Sequence, residues 1–230
     1  MKPAVSCQTV LTRLRARTMR RGFAVGPNTG NEPRYVALIV AMVVVAFGVF
    51  YVVAIRPNLV PKRFASVVEG KLYRSGALTP AAMEKVVKER GIRTVVDLGS
   101  FERDSVADTR QQRTADALGV KRFRFDLASG NAVDPNEYVR ALEIMTSREH
   151  QPVLVYCNDG TGRTGCAVML YRHIHEGKPM SEALDEAISH GYSLSGNADL
   201  VRTLLDWAPE IERAVRDGSV IDVNAHGERH

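Results

Sequence analysis

The chain has 230 residues, 45% apolar and 25% charged, which suits one ordinary domain with a full core plus an appendage. Its net charge of +5 is unevenly placed: residues 1–63 hold ten Lys/Arg and one acid (+9), whereas residues 64–230 hold 21 Lys/Arg and 25 Asp/Glu (−4). The larger part is mildly acidic, which argues against a nucleic-acid surface there, because such surfaces cluster Lys and Arg to neutralise phosphates. Three cysteines, Cys7, Cys157 and Cys166, are too few and too scattered for a disulfide framework or a zinc site.

Residues 1–34 carry seven Lys/Arg among Gly, Pro, Asn and Thr without sustained periodicity and read as a basic, disordered tail. Residues 35–55 (YVALIVAMVVVAFGVFYVVAI) contain no charge and are bounded by Arg34 and Arg56. A helix of that length reaches about 31 Å, near the hydrocarbon thickness of a bilayer. Tyr35 and Tyr51 stand toward its ends, where interfacial aromatics are expected. A core helix is normally shorter, and a signal peptide has a shorter apolar run and a shorter charged lead. The reading is a single transmembrane helix. Residues 56–68, with Pro57 and Pro61, read as a linker, residues 69–217 as a domain and residues 218–230 as a C-terminal tail.

From residue 69 onward strand-like and helix-like segments alternate. Lys71–Arg74 reads as a short strand, and Pro80 opens a helix that Gly91 stops. Thr94–Leu98 is a β-branched strand, Asp104–Leu118 a helix and Lys121–Phe125 the next strand. Pro135–Ser147 places Tyr138, Leu142 and Met145 at i, i+4 and i+7, an amphipathic helix. Val153–Tyr156 (VLVY) is a wholly apolar strand, followed by an apolar helix over Thr164–His175 that takes in Cys166 as a small buried hydrophobe. Helices around Ser181–His190 and Ala198–Arg216 close the chain, with Trp207, Leu204, Leu205 and Ile211 as core. His173 and His175 fall on different faces of one helix and read as surface or packing residues. Arg74-Ser75, at a strand end, reads equally as a loop support or a plain turn. The pattern implies an α/β fold, a central mostly parallel sheet flanked by helices.

Between the apolar strand and the apolar helix stands Cys157-Asn158-Asp159-Gly160-Thr161-Gly162-Arg163-Thr164-Gly165. A glycine-rich turn opening a helix presents several backbone N–H groups to one point, and the helix dipole adds positive potential there. That is a cradle for a phosphate dianion, which Arg163 can close with a planar fork. The same potential favours a thiolate at Cys157, poised for in-line attack on phosphorus.

This run resembles the Cys-x5-Arg-Ser/Thr signature of protein tyrosine and dual-specificity phosphatases, including the glycine three residues after the cysteine. LYRSG (72–76) and TVVDLGS (94–100) are similar to the start of the compact dual-specificity-type domain, and the likeness covers about residues 70–210. The resemblance implies a cysteine-phosphatase fold and a two-step reaction without metal or cofactor. Cys157 takes the phosphoryl group, Arg163 and the amides of residues 158–163 stabilise its oxygens, Thr164 helps the thiolate leave, and water releases phosphate. It also implies a loop aspartate as general acid, about thirty residues before the cysteine. Asp126, after KRFRF, fits this best. Asp134 is the competitor, but Asp134-Pro135 reads as a helix N-cap followed by Pro at N1. Two positions depart from the pattern. Tyr156 stands where the family has histidine, and Asp159 puts a carboxylate inside the loop, which opposes a dianion if ionised near the ligand and only bonds to backbone groups if turned outward.

The expected substrate is a phosphorylated protein, foremost at tyrosine and then at serine or threonine, or a small phosphate monoester. A phosphate-recognising module without useful turnover is the alternative, marked by Tyr156 and Asp159. Inositol phosphates or RNA 5′-triphosphate rank third, because Asp159 opposes a highly charged substrate and the loop has no lysine. The positive-inside count is tied, with five Lys/Arg in residues 15–34 and five in 56–75. Lys2 and Arg13 tilt it toward a cytoplasmic tail. A thiolate and intracellular phosphoproteins argue for a cytoplasmic catalytic domain, and this chemistry is given the greater weight.

Overall fold

The computed structural model describes residues 32–127, 134–196 and 198–226. Cys7 and residues 1–31 of the basic tail lie outside them. Helix α1 (Glu32–Phe50) runs on through a π turn (Tyr51–Ile55) into the short α2 (Arg56–Leu59). Pro57 falls in the first turn of α2, where a missing N–H is tolerated. Across Arg34–Leu59 an 18-residue window has mean hydropathy 3.0 and none of it is buried, so the helix is long and apolar enough to cross a membrane. The chain divides into two units between Val49 and Phe50.

The second unit is built on a five-stranded sheet: β1 (Ala65–Val68), β2 (Leu72–Gly76), β3 (Thr94–Asp97), β4 (Lys121–Arg124) and β5 (Val153–Cys157). Their spatial order is β1-β2-β5-β3-β4, with β1 antiparallel and all other pairs parallel. The helices are α3 (Pro80–Arg90), α4 (Val106–Ala117), α5 (Pro135–Thr146), α6 (Gly162–Leu170, then a π turn over Tyr171–His175), α7 (Met180–Ser189), α8 (Ala198–Asp217) and α9 (Val223–His226). The sheet is thus mostly parallel and flanked by helices, as the alternation of segments implies.

Central strand β5 shows why the fold places a site where it does. All five of its residues are buried, and successive side chains point to opposite faces. Val153, Val155 and Cys157 join the cluster filled by α5 to α8, whereas Leu154 and Tyr156 join the one filled by Ala82, Met83 and Val86 of α3. The neighbouring parallel strands β3 and β5 therefore lead into helices on opposite faces. A crevice opens beyond their C-terminal ends, the usual place for a ligand in an open α/β sheet.

Two expectations need correction. Residues 56–68 are not a free linker: Ala65–Val68 forms edge strand β1, and α2 lies against α3, where Thr79 Oγ1 donates to Pro57 O at 3.4 Å and Lys85 Nζ to Leu59 O at 3.1 Å. β1 leaves little trace in the sequence because it is four residues long and bulged, with one buried side chain, Val67. Leu205 is 41% exposed rather than core, because Val201, Leu204, Ala208 and Ile211 make the inward stripe of α8 and residue 205 falls beside it. Trp207, Leu204 and Ile211 are buried.

Candidate active site

Cys157 ends β5 and is 3% exposed. Gly160 N donates to its Sγ at 3.3 Å, so the loop closes back over the sulfur. This turn needs glycine at 160: its φ is +77°, and a Cβ there would lie 2.5 Å from Gly76 N. Thr161 occupies the N-cap position of α6, and its side chain makes no capping hydrogen bond to the helix's first N–H groups. Uncapped donors and the dipole together make an anion site. Thr164, in the first turn of α6, is fully buried and its hydroxyl has no partner among the described residues.

Arg163 stands on the same turn. Its Nη1 donates to Leu98 O at 2.9 Å, to Leu127 O at 3.0 Å and to Gly99 O. These carbonyls belong to the ends of the neighbouring strands, so one edge of the guanidinium is pinned. Nε and Nη2 bond to no described residue. An open cleft of ≈ 410 Å³ begins there, lined among others by Phe101, Arg103, Arg124, Asp126, Asn158 and Arg163.

Asp126 therefore shares the cleft with Arg163, and Asp134 does not. Asp134 caps α5, accepting from Asn136 N at 2.9 Å. The Asp126 carboxylate is held by Arg103, whose Nε donates at 2.8 Å, and by Arg124. Partial burial alone would raise its pKa, but the two guanidinium groups outweigh that and keep the carboxyl below the usual carboxylate range.

The two departures acquire plain physical explanations. Asp159 turns outward, its carboxylate 63% exposed and 2.7 Å from Lys62 Nζ. The Lys62 hydrogen bond holds its carboxyl below the ordinary range. Its charge is thus countered by a lysine outside the loop. Tyr156 lies across the sheet from the sulfur and donates to Asp97 Oδ2 at 2.9 Å. Asp97, fully buried, also accepts from Ser100 N at 2.8 Å, Ser100 Oγ at 2.9 Å and Arg122 Nη2 at 2.6 Å. Arg122 in turn reaches Asp108, which also takes a bond from Arg124 Nε at 3.1 Å. Tyr156 thus helps to set the 97–100 turn, whose Gly99 carbonyl holds Arg163.

Arg74 is the residue that sequence reasoning undervalued. It is 1% exposed on the same sheet face as Cys157, since Leu72, Arg74 and Gly76 are paired in register with Val153, Val155 and Cys157. Nη2 donates to Gly160 O at 2.9 Å, while Nε and Nη1 have no partner among the described residues. Burial lowers its pKa, and electrostatic interaction with Glu186 and Cys157 opposes that. Two guanidinium nitrogens without described partners thus add buried positive charge beside the Gly160 carbonyl. The sequence signal is slight, an arginine within the short run LYRSG; its burial follows from a strand whose five residues are all buried. Cys166, by contrast, is inert packing, its thiol pushed up to about 12 by burial.

A glycine-rich loop with a buried cysteine at the end of the central strand and an arginine on the following helix is the arrangement of the cysteine-phosphatase family, of the DSP/PTP type. The model of the family described as "DSP-PTPase phosphatase fused to NAD+ Kinase" matches residues 60–199, and the chain belongs to that family. Among curated proteins it is 29% identical over 116 residues to an "Inositol diphosphatase DSP4" of Arabidopsis thaliana, covering 50% of this chain and 57% of that protein. The chain therefore spans little more than half the length of that relative. Among solved structures, the core catalytic domain of the PP-IP phosphatase SIW14 from S. cerevisiae superposes with a TM-score of 0.55 at 19% identity, covering 69% of this chain and 94% of that one. P. aeruginosa TpbA gives a TM-score of 0.55 at 20% identity, covering 67% and 91%. At these identities the structural likeness shows the fold.

Proposed function

We propose that this protein hydrolyses phosphate monoesters through a phosphocysteine intermediate on Cys157. The observation that carries the reading is the closed loop: a buried thiol receives an amide hydrogen bond at 3.3 Å directly beneath an uncapped helix N-terminus. Cys157 attacks phosphorus and the ester P–O bond breaks. Arg163 and the amides of residues 158–163 stabilise the equatorial oxygens. The leaving oxygen takes a proton from Asp126, and water then cleaves the P–S bond while Thr164 helps the thiolate leave. The acid must be protonated to act, yet Arg103 and Arg124 hold Asp126 ionised. Its role therefore requires that an incoming substrate draw those arginines away.

Phosphotyrosyl protein is the first substrate class, with Phe101 on the cleft wall to meet an aromatic ring. Inositol polyphosphates are the second, favoured by Arg103, Arg124 and Arg163 around one cleft. The repulsion expected from Asp159 is countered by its pairing with Lys62. We further propose that the apolar helix anchors the chain in a membrane as a single span, with the catalytic unit in the cytoplasm, where a thiolate is kept reduced. The test is a membrane fraction carrying the full chain, assayed against phosphotyrosyl, phosphoseryl and phosphothreonyl peptides and inositol polyphosphates. Turnover that stays in the pellet through carbonate extraction is the expected result. No hydrolysis of any ester, or recovery of the chain in the supernatant, removes the corresponding part of the reading.

For Asp126, the expected outcome is that Asp126→Asn slows hydrolysis of esters with poor leaving groups by about 10²–10⁴-fold, with little effect on para-nitrophenyl phosphate. If Asp134→Asn produces that split instead, the acid is Asp134.

A further inference from the structure

The phosphate-binding loop is held from outside by cations it does not itself contain. Lys62 Nζ lies 3.2 Å from Asn158 O, Arg63 Nη1 2.9 Å from Asp159 O, and Arg74 Nη2 2.9 Å from Gly160 O. These are three successive carbonyls. In a trans peptide the C=O of one residue and the N–H of the next point in opposite directions. Turning the carbonyls of Asn158, Asp159 and Gly160 outward therefore turns the N–H groups of Asp159, Gly160 and Thr161 inward. The middle one is seen doing this, since Gly160 N reaches Cys157 Sγ at 3.3 Å.

The arrangement is built rather than incidental. Lys62 is fixed by its own carbonyl, which accepts from Gly76 N at 2.8 Å, and by Asp159 at 2.7 Å. Arg63 takes φ +48°, an uncommon conformation for a residue with a side chain. Gly76 leaves room for the junction: a Cβ there would lie 2.9 Å from both Asp159 O and Lys62 Cδ. Beyond it, Phe64 stacks on Tyr73 at 5.6 Å.

We infer that Lys62 and Arg63 are positioning residues for phosphoryl transfer, completing with Arg74 a clamp that aims three loop amides at the phosphate. The inference rests on the phosphatase reading above and adds to it a segment outside the signature run.

The test uses the full chain and para-nitrophenyl phosphate. In Lys62→Met/Arg63→Met the aliphatic stems remain and two of the clamp's three cations are lost, leaving Arg74 on Gly160 O at 2.9 Å and Ala77 N on Asn158 O at 3.1 Å. Expected are a fall in kcat of about 10- to 100-fold, from misaimed amides, a similar loss of vanadate affinity, and KM within about threefold. Lys62→Arg with Arg63→Lys should recover most of the loss. Both side chains make exposed bonds, and such pairs add little to stability, so the thermal midpoint should not move. Lys85→Ala, which frees α2 from α3 without touching the loop, should leave kcat unchanged. Unaltered kcat and vanadate affinity in the double variant would overturn the inference while leaving the phosphatase reading intact. If the wild-type chain turns nothing over, the phosphatase reading fails and vanadate affinity alone decides the clamp.

Discussion

Cys157→Ser is expected to lower turnover by at least about 10⁴-fold, as loss of a covalent nucleophile does elsewhere, while vanadate still binds within a few-fold of wild type. The hydroxyl that replaces the thiol stays protonated at neutral pH and is a far weaker nucleophile. The proposed anion site, however, draws on other groups: the uncapped end of α6, the Arg163 guanidinium and the amides over residue 157. Arg74 remains beneath the loop, still bonded to Gly160 O at 2.9 Å. Trapping a phosphorylated cysteine from wild type by rapid acid quench, and its absence from the serine protein, would identify the atom attacked. Substantial activity in the serine protein would remove the cysteine mechanism altogether. Loss of both activity and vanadate binding would instead mean that the thiol holds the loop in shape.

The parts of this site that were legible in the sequence are those built from neighbours along the chain. VLVY is apolar at every position and short, so it had to be a buried strand. The glycines and Arg163 follow at once, and the loop and helix α6 come with them. The α/β alternation follows from the same local patterns, and helices α3 and α5 begin at Pro80 and Pro135 as those prolines imply. What was not legible depends on residues brought together by sheet register. Tyr156 meets Asp97 across 59 positions, Arg74 meets Gly160 across 86 and Arg63 meets Asp159 O across 96. No periodicity reports such pairs. Read alone, Tyr156 is a missing histidine and Asp159 a misplaced charge. In the fold the first sets the turn that holds Arg163, and the second is an anchor for Lys62. Residues 56–68 read as a linker for a related reason: two prolines in a short stretch carry no sign that Lys62 and Arg63 meet the carbonyls of Asn158 and Asp159 or that Ala65–Val68 pairs with β2.

Arg163→Lys is the second large effect, a loss of about 10²–10³ in kcat with a raised KM for para-nitrophenyl phosphate. Removing a donor aimed at developing charge typically costs about 2.7–4 kcal/mol. The reason lies in what the guanidinium does on its two edges. Nη1 is committed to Leu98 O at 2.9 Å, Leu127 O at 3.0 Å and Gly99 O, which fixes the plane of the group. That leaves Nε and Nη2 in the fork geometry that two oxygens of a phosphoryl group accept. An ammonium is a single point of charge on a flexible stem. It can satisfy the carbonyls of the 98–99 turn or approach the phosphate, but it cannot span both. The two roles separate experimentally. Loss of the carbonyl tether loosens the 97–100 turn and shows as faster amide exchange at Gly99 and Ser100, whereas loss of the fork shows in kcat and in weaker vanadate binding. A lysine protein that keeps kcat within about threefold would mean that the loop amides stabilise the transferring group without Arg163, whose part would then be to brace the ends of β3 and β4.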